Sequence, residues 1–123
     1  MKPLILVFFG GGLGSVLRFW ISKALNSYYP HFYLGTFMVN LLGCLFIGII
    51  FSITLRSNLL SEHQVLLLAT GFCGGFTTFS TFALESQFLL KEFSWLQMGF
   101  YVSASVVMGI SALFLGLWLG KLL

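Results

Sequence analysis

A chain of 123 residues that is 59% hydrophobic and 7% charged cannot build a water-facing surface, for which soluble domains use about 25% charged residues. With a mean hydropathy of +1.03, lipid is its solvent. The net charge of +3 rests on scattered single Lys and Arg residues, so no basic stripe suits nucleic acid.

Apolar residues recur in blocks of roughly 20, the length needed to cross a hydrocarbon core of about 30 Å. The first helix is predicted from about Leu4 to Leu25. Lys2 before an apolar stretch resembles a signal peptide, but Gly10, Gly11, Gly12, Gly14 and Arg18 sit inside the block and no small-residue cleavage site follows, so it reads as mature structure. A polar turn (Asn26, Ser27, Tyr28, Tyr29, Pro30, His31) leads to helix 2, about Leu34 to Leu55. A short link through Arg56, Ser57, Asn58, Ser61 and His63 leads to helix 3, from near Gln64 to about Leu90. Lys91, Glu92, Phe93 and Ser94 then introduce helix 4, about Trp95 to Leu119. The expectation is one domain over residues 1–123: an all-α membrane protein of four transmembrane helices. Cys44 and Cys73 both fall within apolar segments, where they read as small buried thiols and not as a disulfide or a metal pair.

Helix 3 is too long for one straight crossing, since about 27 helical residues measure roughly 40 Å. Its centre, Gly71 through Thr81, holds three glycines and several β-branched or hydroxylated residues, all poor helix formers. A break at mid-membrane is predicted; irregular backbone at that depth must be buried in protein or line a cavity. The alternative is an unbroken helix with a glycine-lined packing face.

Orientation follows from Lys and Arg counts on the two sides. Lys2, Arg56 and Lys121 on one side balance Arg18, Lys23 and Lys91 on the other, so the chain can insert both ways. Four helices are also few to enclose a pore. An antiparallel homodimer of inverted chains is the resulting expectation, formally like the inverted repeats of transporters; the alternative is a small but real bias.

Polar residues inside membrane helices are costly and tend to be functional. Thr36 and Asn40 share a face of helix 2, with Gly43 close to that stripe; Tyr101 and Ser105 do the same in helix 4. In helix 3, Phe79 and Phe82 are three apart, with Ser80, Thr81 and Glu85 in the same two turns. Any one of these could simply glue helices together. As a set they offer an amide, hydroxyls and phenyl edges of partial positive charge, which suits an anion. Glu85 is either a vestibule group or the cap of a hydroxyl network. Arg18 either snorkels or draws anions to an entrance.

Three runs, Gly71-Phe-Cys-Gly-Gly-Phe-Thr-Thr-Phe-Ser-Thr-Phe82 closed by Glu85, Gly10-Gly-Gly-Leu-Gly-Ser-Val-Leu-Arg18 and Gly35-Thr-Phe-Met-Val-Asn-Leu-Leu-Gly43, resemble the Fluc (CrcB) fluoride-channel family, and with length and layout the resemblance spans the chain. It implies a dual-topology antiparallel dimer in the cell inner (plasma) membrane, with two pores between subunits that export fluoride down its electrochemical gradient. Phe79 and Phe82 would be the pore phenylalanines and Asn40 the donor beside them, while Thr36, Ser80, Thr81, Glu85, Tyr101 and Ser105 would line the polar path and Arg18 the vestibule. A structural sodium ion at the dimer centre would be held by the backbone carbonyls of Gly74 and Thr77. Members often carry a second serine one turn beyond Ser105, where this chain has Gly109, which puts the lower end of the path in question.

Three rival readings are weaker. A small multidrug-resistance-type exporter needs an acid in helix 1, which has none. A structural pore-forming protein would use glycine faces such as Gly116 and Gly120 but leaves Asn40, Phe79 and Phe82 unexplained. An enzyme would need a nucleophile with a base, a metal cluster or a phosphate loop, and His31 and His63 stand alone in links.

Overall fold

The structure is a computed structural model that describes residues 1–29, 32–57 and 59–123. Pro30 and His31 of the first link and Asn58 of the second lie outside the described residues. Helix α1 spans Lys2–Asn26 and α2 spans Leu34–Ser57; α3, Glu62–Val65, runs into a π-helical stretch, Leu66–Cys73, and then α4, Gly74–Phe76. Helix α5 is Phe79–Glu92 and α6 is Trp95–Leu122. Four stretches, Lys2–Asn26, Leu34–Arg56, Glu62–Glu92 and Trp95–Leu122, are long and apolar enough to cross a membrane. Each contains the span expected from sequence.

The third stretch begins two residues before Gln64 for a local reason. Ser61 accepts from the Gln64 N–H at 3.3 Å, and the Gln64 side chain accepts from the Ser61 N–H at 2.8 Å, a reciprocal cap on a helix start. Further on, the Gly74 N–H reaches back to the Ala69 and Gly71 carbonyls. The wider turn of a π-helix leads into two extended residues, Thr77 (φ −86°, ψ 159°) and Thr78 (φ −149°, ψ 124°). The Thr78 hydroxyl oxygen then accepts from the Thr81 N–H and starts α5, as Ser94 does for α6 through the Gln97 N–H.

Helices meet backbone to backbone at several glycines. A side chain at Gly48 would strike the Leu113 carbonyl and the Leu117 amide, and one at Gly116 would strike the Leu45 carbonyl, so α2 and α6 approach closely. On the other side Gly10 and Gly14 let α1 lie against the π-helical stretch and α4. Between helices in lipid, contact of this kind replaces the hydrophobic drive available in water. Gly116→Ala is therefore expected to lower the melting temperature in detergent by an overpacking penalty of about 1–3 kcal/mol. Gly99→Ala, where a methyl meets nothing within 4 Å, is the matched control and is expected to leave melting unchanged or raise it. The outer faces carry Phe8, Trp20 and Trp118, all more than half exposed, and such a surface requires lipid or a partner.

Candidate functional site

The site is built around the extended residues. Asn40, half-buried on α2, uses both ends of its amide on one backbone unit: Nδ2 donates to the Thr78 carbonyl at 3.0 Å, and Oδ1 accepts from the Thr78 N–H at 2.7 Å. It thereby supplies partners to a residue that has left the helix ladder. One of the two Nδ2 hydrogens remains for another acceptor. A groove of about 380 Å³ beside it is lined by Asn40, Gly43, Gly74, Thr77, Thr78 and Phe79, together with the free thiols Cys44 and Cys73. A Cβ at Gly43 would collide with the Thr77 methyl, so the glycine gives Thr77 its room.

From the groove an aromatic row leads inward. Phe79, 79% exposed, tilts against Phe82 at 5.8 Å between ring centres, and Phe82 tilts against Tyr101 at 5.3 Å. Phe32 meets Tyr101 edge to face at 5.1 Å. At its end the buried Glu85 carboxylate gathers donors from three other helices. Thr36 gives its hydroxyl proton to Oε1 at 2.7 Å, Asn26 Nδ2 adds a longer contact to the same oxygen at 3.4 Å, and the Tyr101 hydroxyl donates to Oε2 at 2.8 Å. Asn26 is oriented by accepting from the Gly35 N–H at 2.7 Å. Of the two sequence readings of Glu85, the geometry is that of the cap on a hydroxyl network. Tyr33, just ahead of α2, has its phenol pushed up first by burial and then by the Glu85 and Glu92 carboxylates, so it stays protonated beside them.

The remaining predicted residues are less tightly gathered. The Thr78 hydroxyl donates to Thr81 Oγ1 at 3.1 Å and lies 3.4 Å from Ser80 Oγ, at the start of α5. Ser105, one turn after Tyr101, has a buried hydroxyl without a hydrogen-bond partner among the described residues. Arg18 is not a free cation: Nε donates to the Gly75 carbonyl at 3.1 Å, next to Ser15 Oγ at 3.3 Å. Gly109 is buried, and a Cβ there would meet only Cys44 Sγ at an ordinary 3.7 Å. Gly109→Ser is therefore expected to fold normally, seen as an unchanged melting temperature in detergent. Sequence reasoning gave no site role to Ser15, Asn26, Tyr33 or Thr78, although Asn26 opens the polar turn after the first helix and Thr78 stands within the Gly71–Phe82 run.

The carbonyls of Gly74 and Thr77 suit a hard cation by one structural test. In a continuous helix they would accept from Thr78 and Thr81, but those N–H groups go to Asn40 and to the Thr78 hydroxyl. Both residues line the groove, and oxygen ligands are what sodium-like cations take. Among the described residues no group of three or more His, Cys, Asp or Glu is gathered that could hold a metal.

Among the described residues, four membrane-length helices around a seam where Thr36, Asn26 and Tyr101 pair with Glu85, and Asn40 with the Thr78 backbone, define a multi-pass membrane protein. The family model described as CrcB-like protein, Camphor Resistance (CrcB), matches residues 5–117. The "Fluoride-specific ion channel FluC" of Phocaeicola vulgatus is 43% identical over 122 residues, covering 98% of this chain and all of that protein. Proteins of the same name from Serratia proteamaculans, 45% identical over 123 residues and 97% of each chain, and from Bacteroides fragilis, 44% identical over 126 residues and 98% of each, are similarly close. The chain belongs to the CrcB family.

Proposed function

We propose that this protein is a fluoride-selective channel of the bacterial plasma membrane, letting fluoride leave the cytoplasm down its electrochemical gradient. The observation that carries the reading is the groove lined by Asn40 and Phe79 and the ring row that leads from it through Phe82 to Tyr101, in a chain near-identical in length to relatives bearing that name. A small anion entering hydrocarbon loses strong hydration and needs close donors in return. Amide and hydroxyl N–H and O–H groups supply them, while phenyl edges bind more weakly and let the ion move on. The orphan Ser105 hydroxyl supports a path that continues along α6. Thr36 and Tyr101 give their protons to Glu85, so this carboxylate sets which hydroxyls remain free to donate. Expression in a bacterium stripped of its own fluoride exporter is expected to restore growth in fluoride medium. Full-length protein in the membrane with no gain in tolerance would oppose the reading.

The functional unit on this reading is an antiparallel homodimer with two pores between subunits. The level Lys and Arg count supports it, as does the exposure of Phe79 in the single chain. One surface cysteine in a background lacking Cys44 and Cys73 is expected to be labelled from both membrane faces; labelling from one face only would contradict dual topology. A sodium ion at the dimer centre would be held by the Gly74 and Thr77 carbonyls, where it would compensate backbone dipoles that lipid cannot. Thr77 substitutions that keep the main chain should then be milder than disruption of the extended segment. The extended Thr77 and Thr78 fit a break in one membrane crossing that lines a cavity.

A further inference from the structure

Gly75 presents a carbonyl with no partner in its own helix. In an unbroken helix it would accept from the Phe79 N–H, but Thr77 and Thr78 are extended and Phe79 opens the next helix. Two side chains of α1 take over: Arg18 Nε at 3.1 Å and Ser15 Oγ at 3.3 Å. The approach is close, since a Cβ on Gly75 would run into the Gly11 carbonyl. The same short segment carries Gly74 and Thr77 on the groove, the Thr78 unit clipped by Asn40, and Phe79.

We propose that Arg18, assisted by Ser15, is a positioning residue whose N–H replaces the missing helix donor at Gly75 and so holds the extended segment in the shape the Asn40–Phe79 path needs. This rests on the fluoride-path reading of that segment and differs from a vestibule role. Attraction of anions works through charge, acts at a distance and is screened by salt, with a Debye length of about 10 Å at 0.1 M. A hydrogen bond to a part-buried carbonyl needs an N–H at one position and is little affected by bulk salt. The carbonyls of Gly74 and Thr77 lie one residue before and two after Gly75, so movement there would reach both.

Side-chain geometry separates the two roles. Glutamine carries its amide nitrogen the same number of bonds from Cα as Arg Nε, so Arg18→Gln keeps a donor at that reach and loses the charge. Arg18→Met puts a methyl there and loses both. Fluoride efflux from liposomes at low and high ionic strength would be read together with backbone hydrogen exchange over residues 76–80 in the purified dimer. Loss of a hydrogen bond from a charged donor predicts that Arg18→Met slows efflux about tenfold or more and speeds exchange by a similar factor. Arg18→Gln is expected to recover most of both at either salt concentration. Ser15→Ala, a smaller change, is expected to move both readouts the same way and serves if Arg18→Met fails to assemble. Equal loss of efflux in Arg18→Gln and Arg18→Met with exchange unchanged would overturn the proposal in favour of charge. Wild-type values in Arg18→Met would overturn it in favour of simple snorkelling. If the parent protein itself passes no fluoride, the function reading fails, while exchange still reports whether Arg18 holds the segment.

Discussion

Asn40→Asp is expected to abolish fluoride efflux from liposomes while the protein still elutes as the parent does on gel filtration. The change is nearly isosteric, and one half of the native arrangement survives because the new carboxylate can still accept from the Thr78 N–H, as Oδ1 does at 2.7 Å. The other half is lost with the Nδ2 donor to the Thr78 carbonyl, and so is the second Nδ2 hydrogen. A fixed negative charge takes its place. A like charge about 4 Å from a passing anion costs about 4 kcal/mol at an effective dielectric constant of about 20, roughly a thousandfold in rate. Chloride release run alongside would expose any leak from misfolding. Efflux at the parent rate would show that Asn40 only clips backbone and that the ion passes elsewhere.

Phe79→Ile and Phe82→Ile are expected to give the next largest loss. Isoleucine keeps most of the apolar bulk but has no positive ring edge, so packing should survive. Phe79 is mostly exposed in the single chain and makes its ring contact with Phe82, which leaves little fold stability to lose by replacing it. Aromatic edge interactions of about 0.5–1.5 kcal/mol translate into roughly 2- to 12-fold per ring if all of it is felt at the barrier. The double variant should lose more than either single one. Gel filtration would confirm assembly and a fluoride electrode would read the rate. Parent rates in both single variants would make these rings packing groups.

The four crossings were legible because lipid allows only one solution for an apolar block of about 20 residues: a helix that pairs its own backbone. Their ends were less so. The start at Glu62 depends on the reciprocal Ser61 and Gln64 cap, a pattern that lies outside the hydrophobic signal. Helix-poor composition pointed to residues 71–81, and Thr77 and Thr78 take extended dihedrals there. The π-helical approach to them left no trace, since a wider turn needs no particular residue type.

The site was legible as a set of residue types and not as pairings. Thr36 and Asn40 share a helix face, but Thr36 turns to Glu85 and Asn40 to the Thr78 backbone. Such partners lie dozens of residues apart, and no local spacing encodes them. Arg18 shows the same gap. Its position near a helix end suggested snorkelling or an entrance charge, whereas its Nε is bound to a carbonyl that becomes available only because another segment leaves its helix.

The central claim is tested most directly by a fluoride electrode outside liposomes that contain only this purified protein and are loaded with potassium fluoride. Adding a potassium ionophore removes the charge barrier to net release. A channel of the kind described predicts fluoride release within seconds, with chloride-loaded vesicles releasing nothing above the protein-free background. Fluoride release no faster than from protein-free vesicles, by protein that elutes as a single well-folded species, would contradict it.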